Sequence, residues 1–227
     1  MVYNFNQYSN KSQARQDTII DMYRSLFKKN SIPKFQDYIT LCANQVEGDE
    51  LENGSELKQL INSNFISLNQ FYGVDIDKST IEINKAVGGA NWVYSDLLSF
   101  LIDNMDKLNP ALINIDSVFY DKRKITELLS DVLLLISENY NSDCMVVSNF
   151  VLNNPYLCSN INSDKMKEVI EKEVKEYQTN LLSNRFYRDT VKVGWKQYHK
   201  HYVYSSTGKA CMATFVYYRY MINDQVL

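Results

Sequence analysis

Hydrophobic and polar positions alternate in blocks along the chain, and the blocks fall into a repeating order. Ser12 to Lys29 carries Ala14, Ile19, Met22, Tyr23, Leu26 and Phe27 near helical spacing, with Pro33 as its stop. A short apolar run follows, Asp37-Tyr38-Ile39-Thr40-Leu41-Cys42-Ala43, then a polar loop, then helix signals from Ser55. Phe71-Tyr72-Gly73-Val74-Asp75 reads as a strand and Lys78 to Val87 as a helix closed by Gly88-Gly89. Ala90 to Ser95 reads as a strand, Leu97 to Leu108 as a helix, Ala111 to Phe119 as a strand and Lys124 to Asn139 as a strongly apolar helix. Cys144 to Leu152 is the fifth strand, and Asp164 to Leu182 a charged helix.

The last segment breaks the alternation. Val191–Ser205 and Lys209–Met221 are two strand patterns separated only by the turn signal Ser206-Thr207-Gly208. The first is studded with lysine and histidine, as an edge strand requires. The second is apolar on both faces, as an interior strand requires. The order predicts an α/β fold: a seven-stranded, mostly parallel, doubly wound sheet with a C-terminal antiparallel β-hairpin and an extra N-terminal helix. Residues 1–34 form the helical extension and 35–227 the main domain.

Composition changes this picture little. The 227 residues are 45% apolar, ordinary for a globular chain. No apolar run reaches the roughly 18 residues of a membrane span. Met1 to Asn6 lacks a signal-peptide core. Cys42, Cys144, Cys158 and Cys211 are scattered without a CxxC pair, which reads as reduced thiols and a cytoplasmic location. Charge is uneven: residues 1–34 carry a net +4 and residues 185–227 a net +5, within a total of −3. Basic ends around an acidic middle suit a nucleic-acid partner, or two solvated surfaces. Lys196, Tyr198, His199 and Lys200 mix cations with aromatics on one strand, which suits stacking and phosphate contact as well as a protein edge. His199 and His201 lack a local third ligand, so no metal site is expected.

Chemistry concentrates at strand ends. In open parallel sheets, ligands bind outside the carboxyl ends of the strands, where an acidic side chain accepts two hydrogen bonds from a ribose diol. Asp75 stands at such an end, although Asp75 or Asp77 equally suits a helix cap. Ser95-Asp96 ends the third strand and Asn114-Ile115-Asp116 lies near the end of the fourth.

The element order with its terminal hairpin, together with Asp75 in Tyr72-Gly73-Val74-Asp75-Ile76-Asp77, Asp96 in Tyr94-Ser95-Asp96-Leu97 and Asn114-Ile115-Asp116-Ser117, resembles the class I S-adenosylmethionine-dependent methyltransferases. The resemblance covers nearly all of residues 35–222. It implies S-adenosylmethionine as cofactor, with Asp75 on the ribose, Ile76 on the adenine face, and Ser95 and Asp96 near the adenine amino group. It places Asn114 near the cofactor and Asp116 as acceptor-orienting group or general base, with Tyr120 shaping the same pocket. Asn153-Asn154-Pro155-Tyr156 resembles an amino-methyltransferase signature but follows the fifth strand instead of the fourth, and is read as a turn.

One departure stands out. The family's first turn is rich in glycine, whereas this chain has Cys42-Ala43-Asn44 and then a loop holding Glu47, Asp49, Glu50 and Glu52, with glycine only at Gly48 and Gly54. Cys42, Ala43, Asn44, Glu47 and Gly54 would line the cofactor by a variant route, or the site has been lost. The functions implied are a methyltransferase on nucleic acid, RNA ahead of DNA, then a methyltransferase on a small molecule or protein, or an inactive accessory relative.

Overall fold

The computed structural model describes residues 12–43, 45–47, 50–116, 122–152, 195–205 and 211–220, with isolated positions 168, 172, 175 and 179. The side chains of 122, 150–152, 197–205 and 211–213 lie outside this description.

The strands are β1 (Asp37–Leu41), β2 (Val46–Glu47), β3 (Glu50–Leu51), β4 (Phe71–Asp75), β5 (Asn91–Tyr94), β6 (Pro110–Asp116), β7 (Cys144–Leu152), β8 (Lys196–Ser205) and β9 (Cys211–Arg219). The helices are α1 (Asp21–Phe27), α2 (Glu56–Asn62), α3 (Lys78–Asn84), α4 (Leu97–Asp103) and α5 (Lys122–Asn139). Seven strands form one sheet in the order β5-β4-β1-β6-β7-β9-β8, and β2 and β3 form a separate ribbon. The first five of that order run parallel, while β9 is antiparallel to both β7 and β8. This is the sheet expected from the sequence, with β8 at the edge and β9 inside. A register shift between Tyr198 and Tyr202 bulges the edge strand.

The central strands are buried on both faces, so their side chains split between two cores. Tyr38, Phe71, Leu112, Met145, Val147 and Val216 meet Ile19, Ile20, Tyr23 and Phe27 of the N-terminal helix and Leu57 and Leu60 of α2. Ile39, Val74, Ile113, Ile115, Val146 and Phe215 meet Leu97, Phe100 and Leu101 of α4 and Leu129, Val132, Leu133 and Ile136 of α5. The N-terminal helix thus closes one face of the sheet. Among the described residues no helix is long and apolar enough to cross a membrane.

Several helix ends fall short of the pattern, each for a local reason. The N-terminal helix ends at Phe27, well before Pro33, because Lys28 turns left-handed at φ 55°. It also contains a π turn at Gln16–Ile20. α3 ends at Asn84 because Ala86 and Val87 donate to carbonyls only three residues back, leaving Gly88-Gly89 in the following turn. α4 ends at Asp103 because the Asn104 side chain takes the Phe100 carbonyl. The acidic loop is not wholly irregular, since Val46–Glu47 pairs with Glu50–Leu51. Positions 168, 172, 175 and 179 are helical; the rest of 164–182, and Asn153 to Tyr156, lie outside the described residues.

Candidate functional site

β4 and β5 end side by side. Asp75 pairs with Tyr94 across the two strands, and the Ser95 N–H donates to the Asp75 carbonyl at 3.0 Å. Asp96 follows directly, so Asp75, Ser95 and Asp96 share one rim. Asp77, and not Asp75, caps α3: its Oδ1 accepts from the Ser79 N–H at 2.9 Å and the Ser79 hydroxyl at 2.7 Å. Those bonds to the Ser79 hydroxyl and N–H hold the Asp77 carboxyl below the usual carboxylate range. Asp75 is left over from capping. Its Oδ1 accepts from the Asp77 N–H at 2.8 Å, and its second oxygen has no partner among the described residues. Asp96 caps α4 through Oδ1, which accepts from the Ser99 N–H at 2.9 Å, and bonding to Ser99 lowers its pKa.

Two apolar side chains stand uncovered here. Ile76 is 67% exposed and Tyr94 61%. Ile76 is therefore not core; it follows Asp75 directly in the chain.

The first turn is held by side-chain amides in place of glycines. The Gln45 N–H donates to Asn84 Oδ1 at 2.8 Å. The Asn84 and Gln45 amides both donate to the Ala43 carbonyl, at 3.2 and 3.1 Å. Gln45 Oε1 in turn accepts from the Leu57 N–H at 3.1 Å, joining the turn to α2. Cys42 is buried beneath, and burial, reinforced by the Asp75 and Glu56 carboxylates, pushes its thiol up to about 12. Its proton stays on, so it is a packing group and not a nucleophile at neutral pH. Ala43 and Glu47 are exposed. Gly54 is exposed with φ 92°, and its carbonyl accepts from Arg15 Nη1 at 2.7 Å. Asn44 lies outside the described residues.

A hollow opens where the N-terminal helix crosses the carboxyl ends of β6 and β7 and the start of β9. Ala14, Arg15, Thr18, Ile19, Asn114, Asp116, Asn149 and Thr214 line it. Its floor is a chain of buried hydrogen bonds. Thr214 Oγ1 donates to Asn149 Oδ1 at 2.5 Å, and Asn149 Nδ2 donates to Asn114 Oδ1 at 3.3 Å. Asn114 Nδ2 donates to both oxygens of Glu56, each at 3.2 Å. The Tyr38 hydroxyl donates to Glu56 Oε1 at 2.5 Å, and burial with the nearby Glu56 carboxylate raises its pKa well above the usual value, keeping that proton in place. Glu56 is only 2% exposed, and Arg15 Nε lies 3.8 Å from its Oε2.

Arg15, Glu56, Asn149 and Thr214 escaped the sequence reading. Ser55-Glu56 looks like an ordinary helix start, and Ser55 does cap α2 by accepting from the Lys58 N–H at 3.3 Å. Nothing local says that the next carboxylate turns inward. Asn114 sits at the hollow's floor, 1% exposed, with its amide committed to Glu56.

The basic ends are partly consumed by the fold. Arg24 donates to the Asn30 and Ser63 carbonyls, Lys29 pairs with Asp143 at 3.1 Å, and Arg219 is buried against α5. Lys196 is exposed, 5.8 Å from the Tyr220 ring centroid. Tyr198, His199 and Lys200 have described backbone only, and Tyr120 lies outside the described residues.

No protein-family description matches the sequence. No curated protein matches it either. Solved structures do match. The plantazolicin methyltransferase BpumL, in complex with a pentazolic desmethylPZN analog and SAH, is similar with a TM-score of 0.50 and 12% identity over 95% of this chain and 86% of that one. Magnesium protoporphyrin IX methyltransferase (ChlM) from Synechocystis PCC 6803 with bound SAM gives a TM-score of 0.44 at 11% identity, over 96% of this chain and 86% of that one. The fibrillarin/Nop5p complex gives 0.46 at 13%, over 97% and 87%. At such identities the likeness fixes the fold: the chain has the class I methyltransferase fold.

Proposed function

We propose that this chain is an S-adenosylmethionine-dependent methyltransferase. The observation that carries the proposal is Asp75: a carboxylate at the end of β4 with one oxygen unengaged among the described residues, followed by exposed Ile76, with Asp96 just past the end of the neighbouring β5. A nucleoside needs that set of surfaces, namely an acceptor for the diol, an apolar plate for the base and an acceptor for its amino group. In this reading Asp75 takes the ribose hydroxyls, Ile76 covers the adenine and the second oxygen of Asp96 meets the amino group. Ala43 and the neighbouring turn flank the amino-acid portion.

The cofactor supplies a methyl group on a sulfonium, and transfer is an in-line displacement. The protein's work is alignment and, for O–H and N–H acceptors, removal of a proton. Asp116, the last residue of β6, lines the hollow and is assigned that role, with Tyr120 assigned to help it on the resemblance alone. The amide-held first turn supports a working site over a lost one, because it fixes the backbone at the end of β1 without glycine.

For the acceptor we favour a small molecule or a protein side chain over a nucleic acid. Arg15, Arg24 and Lys29, three of the six cations in residues 1–34, are engaged within the fold, as is Arg219 at the other end. The decisive experiment is calorimetric titration of the full chain with S-adenosylmethionine and S-adenosylhomocysteine, repeated on Asp75→Ala. Saturable heat that disappears in the variant is expected; no heat at millimolar ligand removes the proposal. Binding to a mixed-sequence RNA that weakens steeply with salt would return the nucleic-acid acceptor to first place.

A further inference from the structure

Asn84 occupies a place on α3 where a packed helix ordinarily keeps an apolar side chain. Ile81 and Asn84, three positions apart, are the buried residues of this helix, 1% and 0% exposed. A buried amide is costly unless it is hydrogen-bonded. Here both of its ends go to one place: Oδ1 accepts from the Gln45 N–H at 2.8 Å, and Nδ2 donates to the Ala43 carbonyl at 3.2 Å. The Gln45 side chain grips the same carbonyl at 3.1 Å and accepts from the Leu57 N–H of α2. The turn after β1 is thus held from two helices at once.

That turn stands beside Asp75. Leu41 pairs with Val74 and the Cys42 N–H donates to the Val74 carbonyl at 3.1 Å, so Cys42 is level with Asp75 and Ala43 lies just beyond. α3 joins the two places. Asp75 Oδ1 accepts from the Asp77 N–H, Asp77 caps the start of α3, and Asn84 is its last residue. Its seven residues span about 10 Å, so one short helix sets the spacing between the ribose acceptor and the turn. The Ala43 carbonyl has a donor for each of its two lone pairs, and the Gln45 N–H is spent on Asn84. These groups are satisfied before any ligand arrives, and what the turn offers is a fixed contour with Ala43 exposed on it. A contact surface fixed in advance spares a ligand the cost of ordering it.

We propose that Asn84 is a positioning residue for the amino-acid portion of the cofactor: through Ala43 and Gln45 it fixes the turn that this portion crosses, at a set distance from Asp75. This rests on the methyltransferase reading. Asn84 is fully buried and acts only through the turn.

The test compares two ligands that differ in that portion. S-adenosylhomocysteine carries the amino-acid tail; methylthioadenosine keeps adenine, ribose and sulfur and lacks it. Both are titrated calorimetrically into the full chain and into Asn84→Ala and Gln45→Met, at a temperature where circular dichroism shows each protein folded. In Asn84→Ala, S-adenosylhomocysteine is expected to weaken about fivefold or more, the worth of roughly one hydrogen bond, while methylthioadenosine keeps its parent affinity. Gln45→Met has similar length, takes the second donor from the Ala43 carbonyl and is expected to move the ratio of the two affinities the same way, so it carries the test should Asn84→Ala not fold. A residue that only stabilised the fold would lower the melting temperature and leave that ratio at its parent value. An unchanged ratio in the folded variants, through equal weakening or none, overturns this inference and leaves the methyltransferase reading standing. A parent chain that binds neither ligand removes the methyltransferase reading and this inference with it.

Discussion

Asn84 and Gln45 hold each other across the first crossover of the sheet: the Gln45 N–H donates to the Asn84 side-chain oxygen at 2.8 Å, while both amides converge on the Ala43 carbonyl. Asn84 has no exposed surface. The Gln45 N–H therefore depends on one buried side chain, while the Ala43 carbonyl keeps the Gln45 amide. Asn84→Ala should cost about 2–4 kcal/mol, one orphaned buried donor at about 1–3 kcal/mol together with the lost packing of a fully buried side chain. Asn84→Asp should not rescue it, because a carboxylate would face the Ala43 carbonyl. Thermal melting of the two variants checks this; a drop of roughly 4–16 °C is expected for a chain of this size.

Asp75 carries the cofactor reading. Asp75→Ala should weaken S-adenosylhomocysteine by about 10- to 100-fold, the value of one or two hydrogen bonds to a charged group. Because its second oxygen has no protein partner among the described residues, the apo chain should melt close to the parent. Calorimetry paired with thermal melting reads both. A parallel loss of stability and affinity would recast Asp75 as a structural carboxylate.

Gly73 leaves room for Trp92. A Cβ at this position would lie 2.6 Å from two carbons of the Trp92 ring and 3.0 Å from the Cys42 sulfur. The indole cannot easily give way, since its Nε1 donates to the Val87 carbonyl at 3.1 Å. Gly73→Ala should cost about 1–3 kcal/mol as an overpacked core. Urea titration measures it, and an unchanged midpoint would show that the indole repacks freely.

Arg219 finishes the C-terminal end of α5 from the neighbouring strand. Its guanidinium donates to the carbonyls of Ile136, Ser137 and Tyr140 and lies 5.5 Å from the Trp195 ring centroid. They belong to the helix end, where carbonyls run short of backbone donors, although the Ile136 carbonyl also accepts from the Tyr140 N–H at 3.1 Å. Arg219→Met should cost about 3 kcal/mol, and Arg219→Lys should recover only part, because one ammonium cannot span the same fork. Denaturant unfolding of both variants gives the comparison.

Two buried thiols predict alkaline sensitivity. Burial raises both Cys42 and Cys144 from an ordinary 9.0 to about 12. A group whose pKa is raised in the folded state holds its proton there longer than in the unfolded chain. Its stabilising effect is complete below pH 9.0 and is lost as pH climbs toward 12. Unfolding free energy should therefore fall across that window, and less steeply in Cys42→Ala and Cys144→Ala. Both thiols should also resist alkylation at pH 8 until the protein is unfolded.

The alternation of strand and helix patterns, the closing hairpin and the rim carboxylates Asp75 and Asp96 were all legible in the chain itself. They are local signals: period, turn residues, and an acid at the end of an apolar run. β9 read as interior because it is apolar on both faces, and it lies between β7 and β8. Helix ends were less legible, because Lys28 in a left-handed turn and Asn104 on a carbonyl leave little compositional trace.

Tertiary structure alone decided the rest. Whether Asp75 or Asp77 caps α3 depends on backbone direction at the strand end, and the fold gives the cap to Asp77. Arg15, Glu56, Asn114, Asn149 and Thr214 come from five separate stretches of the chain and meet only because the parallel sheet brings its carboxyl ends together under the N-terminal helix. A buried polar side chain is defined by partners far away in sequence, and no periodicity within its own segment can announce them.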